Sequence, residues 1–161
     1  MSAETFNFFC TIEIPYKSRM KYEIDENNNI ILDRVIPKGF AFPGNYGFIP
    51  QTIAGDADPL DVLLITDYPI VPKCSVLCRP IGVLIMTDEK GLDEKIIAVP
   101  AKSVDKSYEH IFRLDDLSKR LLNEIELFFR TYKSIDDSKW TKVHAFRDVD
   151  EAIRLIRKYA E

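Results

Sequence analysis

Residues 56–65 read DADPLDVLLI, in which three aspartates come directly before a run of four aliphatic side chains. The aliphatic run predicts a short buried strand. Asp56, Asp58 and Asp61 then stand in the loop that leads into this strand, and Pro59 fixes one backbone torsion between them. Carboxylates this close repel one another unless cations neutralise them. Because oxygen ligands suit a hard ion, the segment predicts a Mg²⁺-binding loop at the start of a buried strand.

Two other interpretations of this loop can be weighed from the sequence. A solvated acidic turn is the plainer one, since Asp-Pro turns are common. An EF-hand loop beginning at Asp56 is excluded, because Asp61 stands where that loop needs glycine and Asp67 stands where it needs glutamate.

Short strands are predicted on both sides of the acidic loop. In residues 8–14, apolar side chains alternate with others, which predicts a half-buried strand that Pro15 ends. Further strands are predicted at 21–24, 30–35, 62–65, 76–86 and 96–99. Residues 44–47, GNYG, are predicted to form a turn. Short, evenly spaced strands are typical of a small barrel or sandwich.

The last third of the chain changes to a helical period. One apolar stripe repeats at steps of three and four residues: Leu117, Leu121, Leu122, Ile125, Phe128, Phe129 and Tyr132. Asp115 or Asp116 is predicted to cap this helix. A second helix is predicted from about Asp148, which with Glu151 resembles a capping box. Its predicted core residues are Ala152, Ile153, Ile156 and Tyr159. Strands followed by helices predict an α+β, mainly β fold, and no linker divides residues 1–161, which we expect to form a single domain.

Other charged residues gain meaning only from their position in the fold. A second acidic loop at 87–95 reads as a solvated hairpin unless it brings Asp88 and Asp93 next to the first cluster. Lys21 and Glu23 are two residues apart and point to one face of a strand. Arg34 follows in the next strand, where an ordinary surface charge is the simpler interpretation.

Composition excludes several classes of protein. The hydrophobic fraction of 46% argues against long disorder, and the net charge of −4 is unlike that of a nucleic-acid-binding protein. Three cysteines, Cys10, Cys74 and Cys78, do not form a disulfide framework or a zinc set, so reduced thiols and a cytoplasmic location are expected. No apolar run reaches the length of a membrane span.

From the residues alone, an acidic metal patch with nearby cations predicts a polyanionic substrate, most simply a phosphate compound. Two other functions stay open at this point. A small barrel can bind nucleic acid on a basic, aromatic face, although the acidic balance speaks against it. A divalent-cation buffer without catalysis would need the same carboxylates.

Residues 56–63 resemble the signature of the family I soluble inorganic pyrophosphatases: Asp, a small residue, Asp-Pro, an apolar residue and Asp. Further segments follow in the family's order: 12–15 (IEIP), 21–25 (KYEID), 33–34 (DR), 45–50 (NYGFIP), 79–82 (RPIG), 86–89 (MTDE), Asp93, Lys95 and 132–133 (YK). So many ordered motifs are far more specific than one short pattern.

The resemblance implies a five-stranded, OB-like β-barrel with two α-helices in the C-terminal region, and hydrolysis of pyrophosphate to two orthophosphates. It implies Mg²⁺ as cofactor, with Mn²⁺ or Zn²⁺ as possible substitutes, and a homohexamer that binds neither nucleic acid nor membrane. Asp58 matches the residue that holds and deprotonates the attacking water. The metal ligands it implies are Asp56, Asp61, Asp88 and Asp93. The phosphate-binding residues it implies are Lys21, Arg34, Tyr46, Lys95, Tyr132 and Lys133. Glu13 and Glu23 match outer acids of the site.

Overall fold

The computed structural model of the protein describes residues 6–133 and 139–161. These residues form nine strands: β1 Phe8–Ile14, β2 Met20–Ile24, β3 Ile30–Val35, β4 Asn45–Phe48, β5 Asp61–Leu64, β6 Ser75–Asp88, β7 Gly91–Leu92, β8 Lys95–Pro100 and β9 Thr141–Arg147. They also form two α-helices, α1 Lys119–Thr131 and α2 Val149–Tyr159, and two 3-10 turns, Lys106–Tyr108 and Leu114–Asp116.

Five strands close on themselves, in the order β1-β4-β5-β8-β6, because β6 pairs back onto β1. This ring confirms the predicted OB-like, five-stranded arrangement. Within the ring, β5 and β8 are parallel and the other neighbours are antiparallel. The short β7 and the longer β9 pair with β6 outside the ring, and β2 and β3 form a separate two-stranded hairpin.

The predicted alternation in β1 is confirmed, since Phe8, Cys10, Ile12 and Ile14 are all buried. Burial of aliphatic side chains on this scale is the main favourable term in folding. Strands β5 and β8 are almost entirely buried, as expected of parallel neighbours inside a sheet. Their register sets Asp61 opposite Lys95, so the acidic loop and a lysine meet where these two strands begin.

The helices pack on two different clusters of the core. Helix α1 buries Ile125, Phe128 and Phe129 in one cluster, as its predicted stripe requires. Helix α2 buries Ala152, Leu155 and Ile156 in the other. The predicted core positions Ile153 and Tyr159 are only partly buried, and Leu155 takes the central place instead.

The predicted cap of α1 is wrong. The helix begins after Ser118, whose Oγ accepts the Leu121 N–H at 3.1 Å. Both aspartates lie instead in the 3-10 turn Leu114–Asp116, and Asp116 Oδ2 accepts the N–H groups of Phe112 and Arg113 just before that turn.

The predicted cap of α2 is confirmed, because Asp148 Oδ1 accepts the Glu151 N–H at 3.1 Å. The reciprocal half of a capping box is replaced by an ion pair between Glu151 and Arg154.

Residues 44–47 are not a turn, because 45–48 form β4 between β1 and β5. Position 47 in β4 requires a glycine, because the backbone of this residue lies directly against β1. A Cβ on this residue would come 2.0 Å from the Thr11 carbonyl oxygen. The sequence pattern also does not predict β9, since Val143 is the only fully buried residue of this strand and its apolar pattern is weak.

The cysteines are free, with Cys10 and Cys78 buried and Cys74 partly exposed. Burial raises the pKa of both the Cys10 and the Cys78 thiol. In the described residues, neither helix has the length and apolar character needed to cross a bilayer.

Candidate active site

A cavity of about 460 Å³ is bordered by the ring, the β2–β3 hairpin and the end of α1. Every site residue predicted from the sequence lines it: Glu13, Lys21, Glu23, Arg34, Tyr46, Asp56, Asp58, Asp61, Asp88, Asp93, Lys95, Tyr132 and Lys133. The second acidic loop therefore does come next to the first, which was the condition for Asp88 and Asp93 to matter.

Lys95 is the buried centre of this cavity. Its ammonium donates to Asp61 Oδ2 at 2.8 Å, to Asp93 Oδ1 at 2.9 Å and to the Tyr46 hydroxyl at 2.6 Å. Burial disfavours the charged form of Lys95, but the two carboxylates hold its pKa well above the ordinary value. One positive charge thus faces two negative ones, and the group keeps a negative excess.

The strand register explains why these groups meet. Lys95 begins β8 directly opposite Asp61 at the start of β5. Asp93 precedes Lys95 by two residues, and its N–H donates to the Met86 carbonyl at 2.9 Å. The site is therefore built on strand ends rather than on freely moving loops.

Burial, together with the negative charge of neighbouring acids, raises the pKa of two carboxyl groups in the cavity. Burial raises the pKa of Asp93 to about 6 against the attraction of Lys95, and the neighbouring Asp61 adds to the rise. Burial also raises the pKa of Asp56, and the charges of Asp93 and Asp58 act in the same direction. Acids whose ionised forms are disfavoured together are a place where an added cation would bind favourably.

A second charged group lies at the end of β6. Asp88 Oδ2 accepts a hydrogen bond from Lys133 Nζ at 2.9 Å, and Asp88 Oδ1 accepts the Lys90 N–H at 2.9 Å. Burial alone would raise the pKa of Asp88, but these hydrogen bonds lower it below its ordinary value. Lys133 directly follows Tyr132, the residue that caps the C-terminal end of α1, so this helix carries a lysine to the cavity.

The β2–β3 hairpin contributes a third group. Lys21 Nζ donates to Glu23 Oε1 at 2.8 Å and to Asp33 Oδ2 at 3.1 Å. Arg34 comes from the neighbouring strand, and its Nε is buried without a hydrogen-bond partner among the described residues. This Nε lies 4.0 Å from Asp33 Oδ2, too far for a hydrogen bond, and a buried donor without a hydrogen bond is costly and rare. Its position in the cavity wall fits a site that receives an anion.

Glu13 joins the hairpin to the ring. Its Oε2 accepts the Ile24 N–H at 2.9 Å. Burial raises the pKa of Glu13, an effect that this hydrogen bond partly offsets. Glu13 thus ties β1 to β2 on the wall of the cavity.

The 56–58 turn presents Asp58 at the mouth of the cavity. Asp56 Oδ1 accepts the Asp58 N–H at 3.1 Å, and the Asp58 carbonyl accepts the Ala54 N–H at 2.8 Å. Between the two acids, Ala57 has a φ of 68°, a conformation in which a residue with a side chain is uncommon. The backbone of Asp58 is therefore held while its carboxylate stays exposed, at 57% of the side-chain surface.

Aromatic side chains form the wall behind the tyrosine hydroxyls. Phe42 packs against Phe128 with ring centroids 4.6 Å apart, and Phe128 stacks on Tyr132 at 5.1 Å. Tyr46 lies 5.4 Å from Phe42 in the same cluster. This packing fixes the rings of both tyrosines, so that their polar ends are held in place.

The carboxylates suit a hard divalent cation, since all of the atoms that would coordinate it are oxygen. In the described ranges, no three acidic, histidine or cysteine side chains converge into a ready-made metal cage. Mg²⁺ does not require one, because it keeps several waters and is held by one or two carboxylates together with substrate phosphates. The donor set therefore fits this ion.

Nine residues that line the cavity are not among the site residues predicted from the sequence: Ile14, Tyr22, Ile24, Phe42, Phe48, Pro59, Glu89, Lys90 and Lys139. Phe42 reads as an ordinary core residue. Lys90 stands in an acidic turn and looks like a solvated charge, and nothing in its local sequence shows that the turn folds over Asp58.

Comparison with known proteins identifies the family. The family model for inorganic pyrophosphatase matches residues 10–161. The chain belongs to the inorganic pyrophosphatase family. An inorganic pyrophosphatase of Campylobacter jejuni is 47% identical over 148 residues, which cover 91% of this chain and 86% of the relative.

Solved pyrophosphatases share the fold over nearly the whole chain. The inorganic pyrophosphatase of Helicobacter pylori superposes with a TM-score of 0.91 at 37% identity, covering 99% of this chain and 96% of that one. The inorganic pyrophosphatase of Thermus thermophilus gives 0.90 at 41% identity, covering 98% and 91%. A pyrophosphatase must hold a small, highly charged anion, which fits a cavity that combines buried cations with carboxylates in excess.

Proposed function

We propose that the chain hydrolyses inorganic pyrophosphate to two orthophosphates with a metal-activated water, and that Asp58 is the general base. The observation that carries the proposal is the convergence of acids and cations from distant segments on one cavity. Phosphoryl transfer needs positioning and charge neutralisation more than covalent catalysis, and this cavity supplies both kinds of group.

Mg²⁺ is the proposed cofactor, with Mn²⁺ and Zn²⁺ as possible substitutes. Asp56, Asp61, Asp88 and Asp93 are the residues that would hold it. When bound, the ion makes a water easier to deprotonate and neutralises charge on the phosphates.

The cations of the cavity are proposed to bind the two phosphoryl groups. Arg34 can present two N–H groups to two oxygens. Lys21, Lys95 and Lys133 act as point charges. The hydroxyls of Tyr46 and Tyr132 donate hydrogen bonds without adding charge. Because these donors are already in place, they stabilise the charge that builds on the leaving phosphate at little cost of reorganisation.

The chemical step itself uses one carboxylate. Water attacks one phosphorus atom and gives a proton to Asp58, while the bond from that phosphorus to the bridging oxygen breaks. The bridging oxygen leaves with the second phosphate and keeps the bonding electron pair. Glu13 and Glu23 are proposed to support the site from outside, through the backbone of β2 and the ammonium of Lys21.

Phosphate release from pyrophosphate tests this function directly. The purified protein is assayed with Mg²⁺, with Mn²⁺ or Zn²⁺ in its place, and with a chelator. We expect rapid release with Mg²⁺ and a loss of at least about a hundredfold with the chelator, since metals supply several kcal/mol to such reactions. A folded protein that binds metal without releasing phosphate would instead be a cation buffer.

We also propose that residues 1–161 form one domain that works in the cytoplasm. The buried thiols of Cys10 and Cys78 support a reducing compartment, since they lie in one core cluster and remain unlinked.

A homohexamer is proposed for the assembly. Strand β3 exposes a row of apolar side chains, with Ile31 at 45% and Leu32 at 51%. Apolar groups exposed on this scale are typical of surfaces covered by another protein. Sedimentation equilibrium is expected to give six chain masses, and a single chain mass at micromolar concentration would contradict the proposal.

A further inference from the structure

Lys90 lies at the tip of the turn between β6 and β7, and its backbone is fixed there. Its N–H donates to Asp88 Oδ1, and Asp88 is itself held by Lys133. The next residue, Gly91, has a φ of +119°, which a glycine adopts without strain. The turn therefore has a defined shape and points one lysine in a defined direction.

The side chain of Lys90 crosses the mouth of the cavity to the other acidic loop. Its Nζ lies 3.4 Å from Asp58 Oδ2, although the two residues are 32 positions apart in sequence. Within the described ranges, no other cation lies within ion-pair distance of Asp58. The pair joins the tip of a fixed turn to the carboxylate that is proposed to accept the proton from water.

A structural role does not account for this pair. Both side chains are more than half exposed, 61% for Lys90 and 57% for Asp58. Exposed ion pairs contribute little to the stability of a protein. The effect of Lys90 is then expected in the charge balance of the site, because its positive charge beside Asp58 offsets part of the negative excess that attracts a metal ion to the neighbouring carboxylates.

We propose that Lys90 is a positioning residue that acts through Asp58: it holds this carboxylate when no metal is present and competes with the activating metal for the acidic side of the cavity. Lys90 thereby raises the metal concentration that the enzyme needs. The inference rests on the proposed metal site and on the proposed role of Asp58.

Titration with Mg²⁺ in a calorimeter, without substrate, tests the proposal. Lys90→Ala is expected to bind Mg²⁺ about threefold more tightly than the wild type, which is the size that an exposed pair of this kind allows. The concentration of Mg²⁺ for half-maximal activity is expected to fall by a similar factor. Lys90→Arg keeps the charge and is expected to behave like the wild type.

Lys139→Ala is the matched control, since Lys139 lines the same cavity and the ion pairs among described residues include none between it and Asp58. It removes the same charge without breaking the pair, so its effect on Mg²⁺ affinity is expected to be smaller. Raising the ionic strength is expected to reduce the difference between Lys90→Ala and the wild type.

Equal Mg²⁺ affinity in Lys90→Ala and the wild type would overturn the inference, and so would equal shifts in Lys90→Ala and Lys139→Ala. A wild-type protein that releases phosphate in a Mg²⁺-dependent way but shows no Mg²⁺ binding without substrate would overturn this inference and leave the proposed function standing. A tenfold loss of kcat in Lys90→Ala at saturating Mg²⁺, with unchanged affinity, would mean that Lys90 contacts the substrate instead.

Discussion

Asp58→Asn is expected to lower kcat for pyrophosphate hydrolysis by about 10²–10⁴-fold, the usual contribution of a general base. The amide has nearly the shape of the carboxylate but does not accept a proton from water. The Asp58 side chain is 57% exposed, and its backbone is held by bonds that the substitution leaves intact. Stability should therefore change little, and a thermal melt is expected to overlay that of the wild type.

Steady-state kinetics at saturating Mg²⁺ measures this effect. Asp115→Asn is the matched control, because Asp115 is an exposed aspartate that does not line the cavity, and it should keep wild-type kcat. Asp58→Asn with turnover near the wild-type rate would remove Asp58 from the role of base. A rise in KM with unchanged kcat would mean that Asp58 binds substrate or metal but does not take the proton.

The sequence predicts the elements whose burial follows a simple period. Strands β1 and β3 have the predicted bounds. The side chains of β1 alternate between buried and more exposed positions, and β3 is mostly exposed but follows a clear turn. The stripe of α1 is also correct, except that Leu117 lies before Ser118, the residue that caps the helix. Strand β9 is not predicted from the sequence, because most of its residues are polar. It pairs with β6 outside the ring, where one of its faces is exposed to solvent.

Position in the ring decides what local sequence leaves open. Residues 44–47 look like a turn because of Gly44 and Gly47, yet residues 45–48 form a strand whose backbone pairs with β1 on one side and β5 on the other. Tertiary pairing here overrides the local preference. The same holds for Asp88 and Asp93, which look like parts of a solvated hairpin until pairing sets Asp61 beside Lys95.

The resemblance to a family predicts most of the site residues, whereas single charged residues carry little signal in their local sequence. Neither the family resemblance nor the local sequence predicts a role for Lys90. It belongs to none of the motifs that support the resemblance, and its contact with Asp58 spans two loops that only the folded chain brings together. Long-range contacts of this kind are not encoded in any window of sequence.

Lys95→Met is expected to lower the free energy of unfolding by about 3 kcal/mol in the presence of a chelator. The ammonium is buried between Asp61 and Asp93, and methionine fills the space without its charge. Two neighbouring carboxylates then lose their common cation. The expected cost lies at the low end of the range for breaking a buried ion pair, because the Asp61 side chain is 22% exposed.

Added Mg²⁺ should restore part of the stability that Lys95→Met loses, because the ion would replace the missing positive charge between Asp61 and Asp93. No such recovery is expected if these carboxylates do not bind metal. If Asp61 and Asp93 bind the metal, a concentration of 100 times Kd stabilises the folded state by about 2.7 kcal/mol. Urea denaturation of Lys95→Met and the wild type, each with and without Mg²⁺, measures the difference. Lys142→Met is the control, since Lys142 is exposed on β9 outside the cavity and should change stability little. If Mg²⁺ stabilised neither Lys95→Met nor the wild type, these two carboxylates would not be metal ligands, and Lys95 would be their permanent counter-ion.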